Sequence, residues 1–161
     1  MKKLVFSLFV LLVSAPAWAQ STLTNAQHNV TLTVPTGWES DSQNDERAAF
    51  NLRHTDHSQI EVIGNDLLTA EVSTVFFRHF HETLQASQFM AAGQEDKTVG
   101  DVSGTETVYR FDHSNATLKV AVFQFVRGTT AWLVILYSQE DVFDAHVAEF
   151  RSVISGLAFQ G

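Results

Sequence analysis

The sequence predicts an α+β fold, in which a mainly antiparallel β-sheet is flanked by helices as an α/β/α sandwich. Three observations support this prediction. Segments with the two-residue periodicity of strands follow one another as neighbouring pairs, and helical periodicity is confined to residues 70–86 and 139–155. Two strand segments, residues 120–126 and 131–137, are apolar on both faces. Such strands belong in the middle of a sheet that is covered on both sides, and consecutive hairpins favour antiparallel pairing.

The chain opens with a segment that has the form of a secretory signal peptide. Two lysines precede an apolar run from Leu4 to Val13, and Ala17-Trp18-Ala19 fits the small-x-small requirement of signal peptidase, which places cleavage after Ala19. The run is shorter than the roughly 20 residues that span a bilayer. We therefore assign residues 1–19 to the signal peptide and residues 20–161 to one α+β domain, which is expected to be soluble and periplasmic or secreted.

The composition is that of an acidic globular domain. The chain has 161 residues, no cysteine and a formal charge of −8, with 10 basic and 18 acidic side chains. Loss of residues 1–19 removes two lysines and no acidic residue, which changes the charge to −10. This charge argues against nucleic acid or an anionic membrane as the partner, because both require clustered lysine and arginine. It is compatible with a basic protein partner. Without cysteine, the domain has neither disulfides nor a lipid anchor.

The first part of the domain contains predicted strands separated by polar segments. Residues 30–34 alternate apolar side chains with threonine and end at Pro35-Thr36-Gly37. Residues 39–46 are polar and acidic, which predicts a solvated loop. Residues 48–55 and a second run around residues 60–62 have the pattern of a hairpin.

Two amphipathic helices are predicted. The first covers residues 70–86, with Thr69 as its N-cap. Its apolar side chains recur at helical spacing and predict a core stripe of Val72, Val75, Phe76, Phe80 and Leu84. The second helix covers residues 139–155, where Ser138 begins a capping-box pattern and Gly156 suits the C-cap.

The remaining strands are predicted between and after these helices. Residues 103–112, 118–126 and 130–138 have strand periodicity, and the last two are joined by a short turn at residues 127–129. A short terminal strand is predicted at residues 157–159.

Several of these segments together resemble the PsbP-like fold of photosystem accessory proteins and of DcrB-type bacterial envelope proteins. The segments that carry the resemblance are Val34-Pro35-Thr36-Gly37-Trp38, Ile60-Glu61-Val62, the paired strands at 119–126 and 131–137, and the closing helix with Phe150, followed by Phe159. The resemblance implies an α/β/α sandwich and a role as an assembly factor, chaperone or docking module. It does not imply a common catalytic site, and the missing cysteine sets this sequence apart from the lipid-anchored members.

One loop offers candidate metal ligands. His54, Asp56 and His57 lie in the predicted turn of the first hairpin, where three ligand-type side chains meet the donor count of a weak transition-metal site. The alternative interpretation is a polar turn. No cofactor is predicted.

A second histidine segment begins like a zinc-peptidase motif. His81-Glu82 is followed by Gln85 where the second histidine of His-Glu-x-x-His would have to be. His79 cannot replace it, because residues two apart on a helix do not face each other. An ordinary exposed His-Glu pair is the preferred interpretation.

Trp38 and Trp132 are the candidate ligand-binding residues, since each is large enough to line a pocket. The alternative is that both belong to the core. No complete catalytic constellation is present in the sequence, so the preferred hypothesis is a non-catalytic periplasmic accessory or binding module that acts through protein contacts, in envelope assembly for example. The alternatives are an immunity or inhibitor protein against a toxin, and a small-ligand carrier or enzyme whose site is assembled from distant residues.

Overall fold

Two antiparallel sheets and two helices make up the part of the chain that the computed structural model describes, residues 21–41, 48–67, 69–114 and 116–160. The elements in chain order are β1 (Thr22–Asn25), β2 (Val30–Thr33), β3 (Trp38–Ser40), β4 (Ala48–His54), β5 (Gln59–Asp66), α1 (Ala70–Ala86), β6 (Met90–Val99), β7 (Val102–His113), β8 (Ala116–Arg127), β9 (Thr130–Gln139), α2 (Glu140–Ser155) and β10 (Leu157–Phe159). The predicted α+β fold with helices flanking an antiparallel sheet is confirmed.

The larger sheet has seven strands in the order β3-β4-β5-β9-β8-β7-β6, and all neighbours are antiparallel. The strands that are apolar on both faces, β8 and β9, lie in its interior as predicted. Val122 and Ile135 face each other across this pair and are fully buried. The smaller sheet has the order β1-β2-β10.

The larger sheet separates two hydrophobic cores. On one face, Phe123 and Val134 pack with α2 residues such as Phe150 and with the small sheet. On the other face, residues such as Val122 and Leu133 pack with α1. Because β8 and β9 contribute alternate side chains to each core, neither strand has a polar face.

The face that α1 buries differs from the predicted stripe. The helix has the predicted bounds, but Val72 and Val75 are exposed, while Phe77 and Leu84 are buried against the sheet. Phe76 and Phe80 are half-buried. Compared with the prediction, the helix is rotated about its axis. The sequence did not distinguish the two orientations, because apolar side chains at both sets of positions satisfy helical spacing.

The predicted helix caps are only partly correct. Thr69 is the N-cap residue of α1 as predicted, although its side chain makes no capping hydrogen bond. Ser138 is not the N-cap of α2: that position is Gln139, and the Ser138 hydroxyl lies 2.9 Å from that of Ser58. Gly156 is the C-cap of α2 as predicted. A Cβ there would lie 2.8 Å from the Ser152 carbonyl oxygen, so close approach rather than an unusual φ favours glycine.

Three strands were missed by the sequence prediction. β1 and β3 are only 4 and 3 residues long, and Glu39 and Ser40 belong to β3 rather than to the predicted loop. β6 forms one edge of the larger sheet, contains a bulge between Ala91 and Gly93, and is exposed along almost all of its length. An edge strand that buries neither face shows no alternation in its sequence.

Candidate functional site

A cavity of about 830 Å³ lies on the α1 side of the larger sheet. It is bounded by α1, the end of β1, the start of β4, and strands β5 and β9. It arises because α1 packs against β6 and β8, so that no helix of the described residues lies above the part of the sheet nearer β4 and β5. We call it the α1-face cavity.

The floor and one wall of the α1-face cavity are apolar. The floor is formed by Ile63, which is half-buried, and by Leu133, which lies opposite it on the neighbouring strand and is fully buried. Phe76 and Phe80 form the wall on α1. These four side chains continue the core on this face of the sheet, so an apolar group that entered would be removed from water against an existing hydrophobic surface.

A tyrosine and a glutamate form the first polar group of the cavity. The Tyr137 hydroxyl donates a hydrogen bond to the Glu61 carboxylate. Burial raises the pKa of Tyr137 well above its ordinary value, and the negative charge of Glu61 and the hydrogen bond to it raise that pKa further. Tyr137 therefore stays neutral as a donor.

A histidine and an aspartate form the second polar group. His28 Nδ1 lies 3.3 Å from Asp66 Oδ1, and the His28 side chain is only 5% exposed. The backbone N–H of His28 donates to Asn25 Oδ1 at 3.0 Å, and the Thr130 hydroxyl donates to Asp66 Oδ1 at 2.8 Å. The pair is thus held in place by the β1–β2 turn and by the start of β9.

The structure places the two predicted tryptophans in the core, on different parts of the fold. Trp132 is 1% exposed and packs edge-on against His28, with a centroid distance of 5.3 Å. Its ring also lies directly behind Gly64, where a Cβ would come within 3.0 Å of it. Trp132 therefore lies on the α2 face of the sheet, where it packs against two residues that line the α1-face cavity, Gly64 and His28. Trp38 is 5% exposed and packs against a histidine cluster at a separate place.

The histidine cluster contains two of the three predicted metal-ligating residues. His54 and Asp56 lie together with His146 of α2, and one ligand atom from each lies within 4.8 Å of the others. His57 is not a member, because its backbone adopts φ +71° in the turn and its side chain is exposed. We call this group the His54–Asp56–His146 cluster.

Hydrogen bonds organise this cluster around its carboxylate. His146 Nε2 lies 2.6 Å from Asp56 Oδ2, and His54 Nδ1 lies 3.0 Å from Asp56 Oδ1. Burial alone would raise the pKa of Asp56, but the hydrogen bonds from His146, from the Ser58 backbone and from His54 outweigh it and hold that pKa well below its usual range. Asp56 is therefore ionised at any physiological pH.

The sequence analysis did not identify His146. A signal was present, since His146 lies three residues after Phe143 and four before Phe150, on the stripe that α2 buries. A histidine at a core position of an amphipathic helix needs a polar partner. The sequence could not show that this partner is Asp56, 90 residues away.

His81 is not the exposed side chain that the sequence predicted. It is half-buried, with Nδ1 hydrogen-bonded to the Tyr109 hydroxyl and Nε2 lying 2.6 Å from Gln124 Oε1. Because Oε1 can only accept, Nε2 carries a proton and donates to it. These contacts tie α1 to β7 and β8, and Glu82 remains exposed.

The arrangement of one seven-stranded antiparallel sheet between two helices defines this protein as an α/β/α sandwich. Comparison with solved structures identifies the sandwich as the PsbP-like fold. Cyanobacterial PsbP (CyanoP) from Synechocystis sp. PCC 6803 has 16% identity and a TM-score of 0.59, and the match covers 92% of this chain and 99% of that one. LpqN, which is involved in cell envelope biogenesis of Mycobacterium tuberculosis, has 14% identity and a TM-score of 0.55 over 89% of this chain and 86% of its own.

A protein from Bacteroides thetaiotaomicron VPI-5482 has 11% identity and a TM-score of 0.63, over 88% of this chain but only 49% of its own. No family model and no curated protein matches this sequence. At these identities the likeness concerns the fold, and it confirms the resemblance inferred from the sequence.

Two sequence predictions concern the position of the protein in the cell. The predicted signal peptide, residues 1–19, lies outside the described residues and stays a prediction. Within the described residues, no helix has both the length and the apolar character needed to cross a bilayer.

Proposed function

We propose that this protein is an exported, non-catalytic accessory module that binds a segment of a partner protein in the α1-face cavity. The observation that carries the proposal is the part of the larger sheet that α1 leaves uncovered. There the half-buried Ile63 lies beside Phe76 and Phe80, and the fully buried Leu133 lies beneath them. A domain that needed only to fold would gain from covering such a surface with its own helix.

The polar groups of the cavity favour a basic segment. Among the described residues that line it, Glu61 and Asp66 are acidic and none is lysine or arginine. A lysine or arginine beside an apolar residue in the partner would place its cation near these carboxylates while its neighbour packs against Phe80. The acidic charge of the whole chain, −8, acts in the same direction by attracting basic proteins.

The lining also favours binding over covalent catalysis. The described lining residues include no serine, cysteine or lysine. The Thr83 hydroxyl donates to the His79 carbonyl oxygen at 2.9 Å and is engaged within the helix. The pair of His28 and Asp66 therefore has no nucleophile beside it of the kind that an acyl-transfer enzyme requires.

The fold and the first residues of the chain support an extracytoplasmic role. PsbP-like structural neighbours include a protein of cell envelope biogenesis, LpqN. The signal peptide predicted at residues 1–19 would export the domain. On this proposal the domain meets its partner outside the cytoplasm, as an accessory to an envelope assembly.

Site-specific photocrosslinking in the organism that makes the protein tests the proposal. A benzophenone amino acid is placed at Thr83, an exposed position at the cavity, and at Ala148, an exposed position on α2 on the opposite side of the sheet. We expect one discrete protein adduct from position 83 and none from position 148. The same adduct should weaken when Glu61→Gln is added, because the variant removes one of the two negative charges.

No adduct at position 83, or equal adducts at both positions, would count against the cavity as the partner site. Recovery of a small molecule with the purified protein, without any protein adduct, would replace the proposal with that of a ligand carrier.

A further inference from the structure

We propose that His54, Asp56 and His146 form a binding site for a divalent transition-metal ion, of which Zn²⁺ is the best match. The site is separate from the α1-face cavity and does not depend on the function proposed for it. It joins the β4–β5 turn to α2 on the other side of the larger sheet.

The donor set is that of a three-ligand transition-metal site. Two imidazoles and one carboxylate supply two nitrogen donors and one oxygen donor. This set suits Zn²⁺ better than Ca²⁺ or Mg²⁺, which bind oxygen ligands. The ligand atoms all lie within 4.8 Å of one another. Donors that each lie about 2.0–2.2 Å from a tetrahedral ion are separated by about 3.3–3.6 Å. The 2.6 Å contact between His146 Nε2 and Asp56 Oδ2 must therefore lengthen by about 0.7–1.0 Å, and ligand atoms farther apart than this must move closer together.

An ion has a way in and a free coordination position. The side chains of His54 and Asp56 are 25% and 29% exposed, whereas that of His146 is 7% exposed. Water can therefore reach the two ligands on the turn and complete the coordination, while His146 closes the inner side.

The surroundings of His146 provide a second, independent observation. Its Nδ1 is buried and has no hydrogen-bond partner among the residues that the structure describes. The carboxylate oxygen Glu149 Oε2 lies 4.0 Å away and is likewise buried without a partner there. Metal-bound histidines usually donate their second ring N–H to a carboxylate. A small rotation of Glu149 would complete that arrangement.

The two ring nitrogens cannot both be satisfied by a neutral imidazole. A proton on Nε2 allows the 2.6 Å hydrogen bond to Asp56 but leaves Nδ1 buried as an acceptor without a donor. A proton on Nδ1 faces Glu149 but directs the Nε2 lone pair at the Asp56 carboxylate. A cation between Nε2 and Asp56 removes this conflict, with the proton on Nδ1.

The ligands are held in place before any ion binds. The turn is closed by hydrogen bonds from the His54 N–H to the Ser58 carbonyl oxygen at 2.9 Å, and from the Ser58 N–H to Asp56 Oδ1 at 2.9 Å. The Trp38 ring packs against both imidazoles, with centroid distances of 5.4 Å to His54 and 5.2 Å to His146. Such support reduces the entropy that would be lost on metal binding.

Calorimetric titration of the metal-free full domain with ZnCl₂ tests the site. We expect one ion per chain, and a loss of affinity of at least tenfold in Asp56→Asn, which keeps the shape of the carboxylate. Glu149→Gln should weaken binding by roughly tenfold through the second shell. His57→Asn is the matched control, because it removes an exposed histidine from the same turn and asparagine tolerates the positive φ; its affinity should not change.

Nuclear magnetic resonance of the histidine rings in the wild-type protein tests the site without relying on the folding of any variant. In the wild-type protein, ZnCl₂ should shift the ring ¹⁵N signals of His54 and His146 and leave those of His28 and His81 in place. No binding at equimolar ZnCl₂ would overturn the proposal. So would equal weakening by His57→Asn and Asp56→Asn, which would indicate adventitious surface binding only.

Discussion

Two adjacent phenylalanines of α1 allow the orientation of this helix to be tested by the same substitution. Phe77 is 9% exposed and packs in the core between α1 and the sheet, whereas Phe76 is half-buried and lines the α1-face cavity. Phe77→Ala and Phe76→Ala alter helix propensity equally, so any difference between them comes from packing.

The expected cost differs because Phe77 is buried more completely than Phe76. Removing a buried phenylalanine side chain costs 3–5 kcal/mol in well-packed cores, and we expect about 3 kcal/mol for Phe77→Ala at the margin of the core. Phe76→Ala enlarges a space that water already enters, so it loses only the transfer free energy of a partly buried ring, about 1 kcal/mol. The gap of about 2 kcal/mol corresponds to roughly a thirtyfold difference in the ratio of folded to unfolded protein.

Urea unfolding followed by far-ultraviolet circular dichroism measures both free energies. The slopes should agree among the wild type and the two variants, so that midpoints can be compared directly. A cost for Phe76→Ala equal to or larger than that for Phe77→Ala would contradict the orientation of α1 described above. It would indicate that α1 buries the face that its sequence periodicity predicts.

Three further predictions address other parts of the structure. The chain has two tyrosines, and burial raises the pKa of both Tyr109 and Tyr137. Absorbance at 295 nm should therefore show no tyrosinate in the folded protein near pH 10. The free energy of unfolding should fall as pH rises above about 10, because the tyrosines of the unfolded state lose their protons first. A titration of either tyrosine near pH 10 without unfolding would contradict the burial. Gly104→Ala should destabilise by about 3 kcal/mol, because a Cβ would lie 2.3 Å from a backbone carbonyl oxygen of β8, whereas Gly93→Ala meets nothing within 4 Å and should change the unfolding free energy by less than about 0.5 kcal/mol. His81→Ala should cost about 1–3 kcal/mol in chemical unfolding, because its two hydrogen-bond partners lose the ring; an unchanged midpoint would show that these hydrogen bonds do not stabilise the domain.

The parts of the fold that the sequence predicted are those where burial leaves a pattern. β8 and β9 were identifiable because residues 120–126 and 131–137 are apolar on both faces, and only a doubly covered strand has that composition. The bounds of α1 were correct for a related reason, since its apolar spacing begins and ends with the helix.

The parts that the sequence did not predict depend on contacts between distant residues. The rotation of α1 is set in part by Tyr109 and Gln124, which bind His81 and draw a polar side chain toward the sheet. β6 was missed because almost all of its residues are exposed on both faces of the strand, which leaves no apolar alternation in its sequence. The His54–Asp56–His146 cluster was only half visible, because a residue 90 positions from Asp56 supplies its third member.

The two edge strands of the larger sheet, β3 and β6, determine whether copies of the domain can pair through their backbones. One border ends in a strand of three residues, too short to template a partner strand. The other offers ten residues, but the irregularity at Ala91 and Gly93 twists its backbone, and Glu95, Asp96 and Lys97 place charges along it. A neighbouring copy could add itself to this border only by desolvating those charges. Self-association through backbone pairing at these two borders is thereby disfavoured.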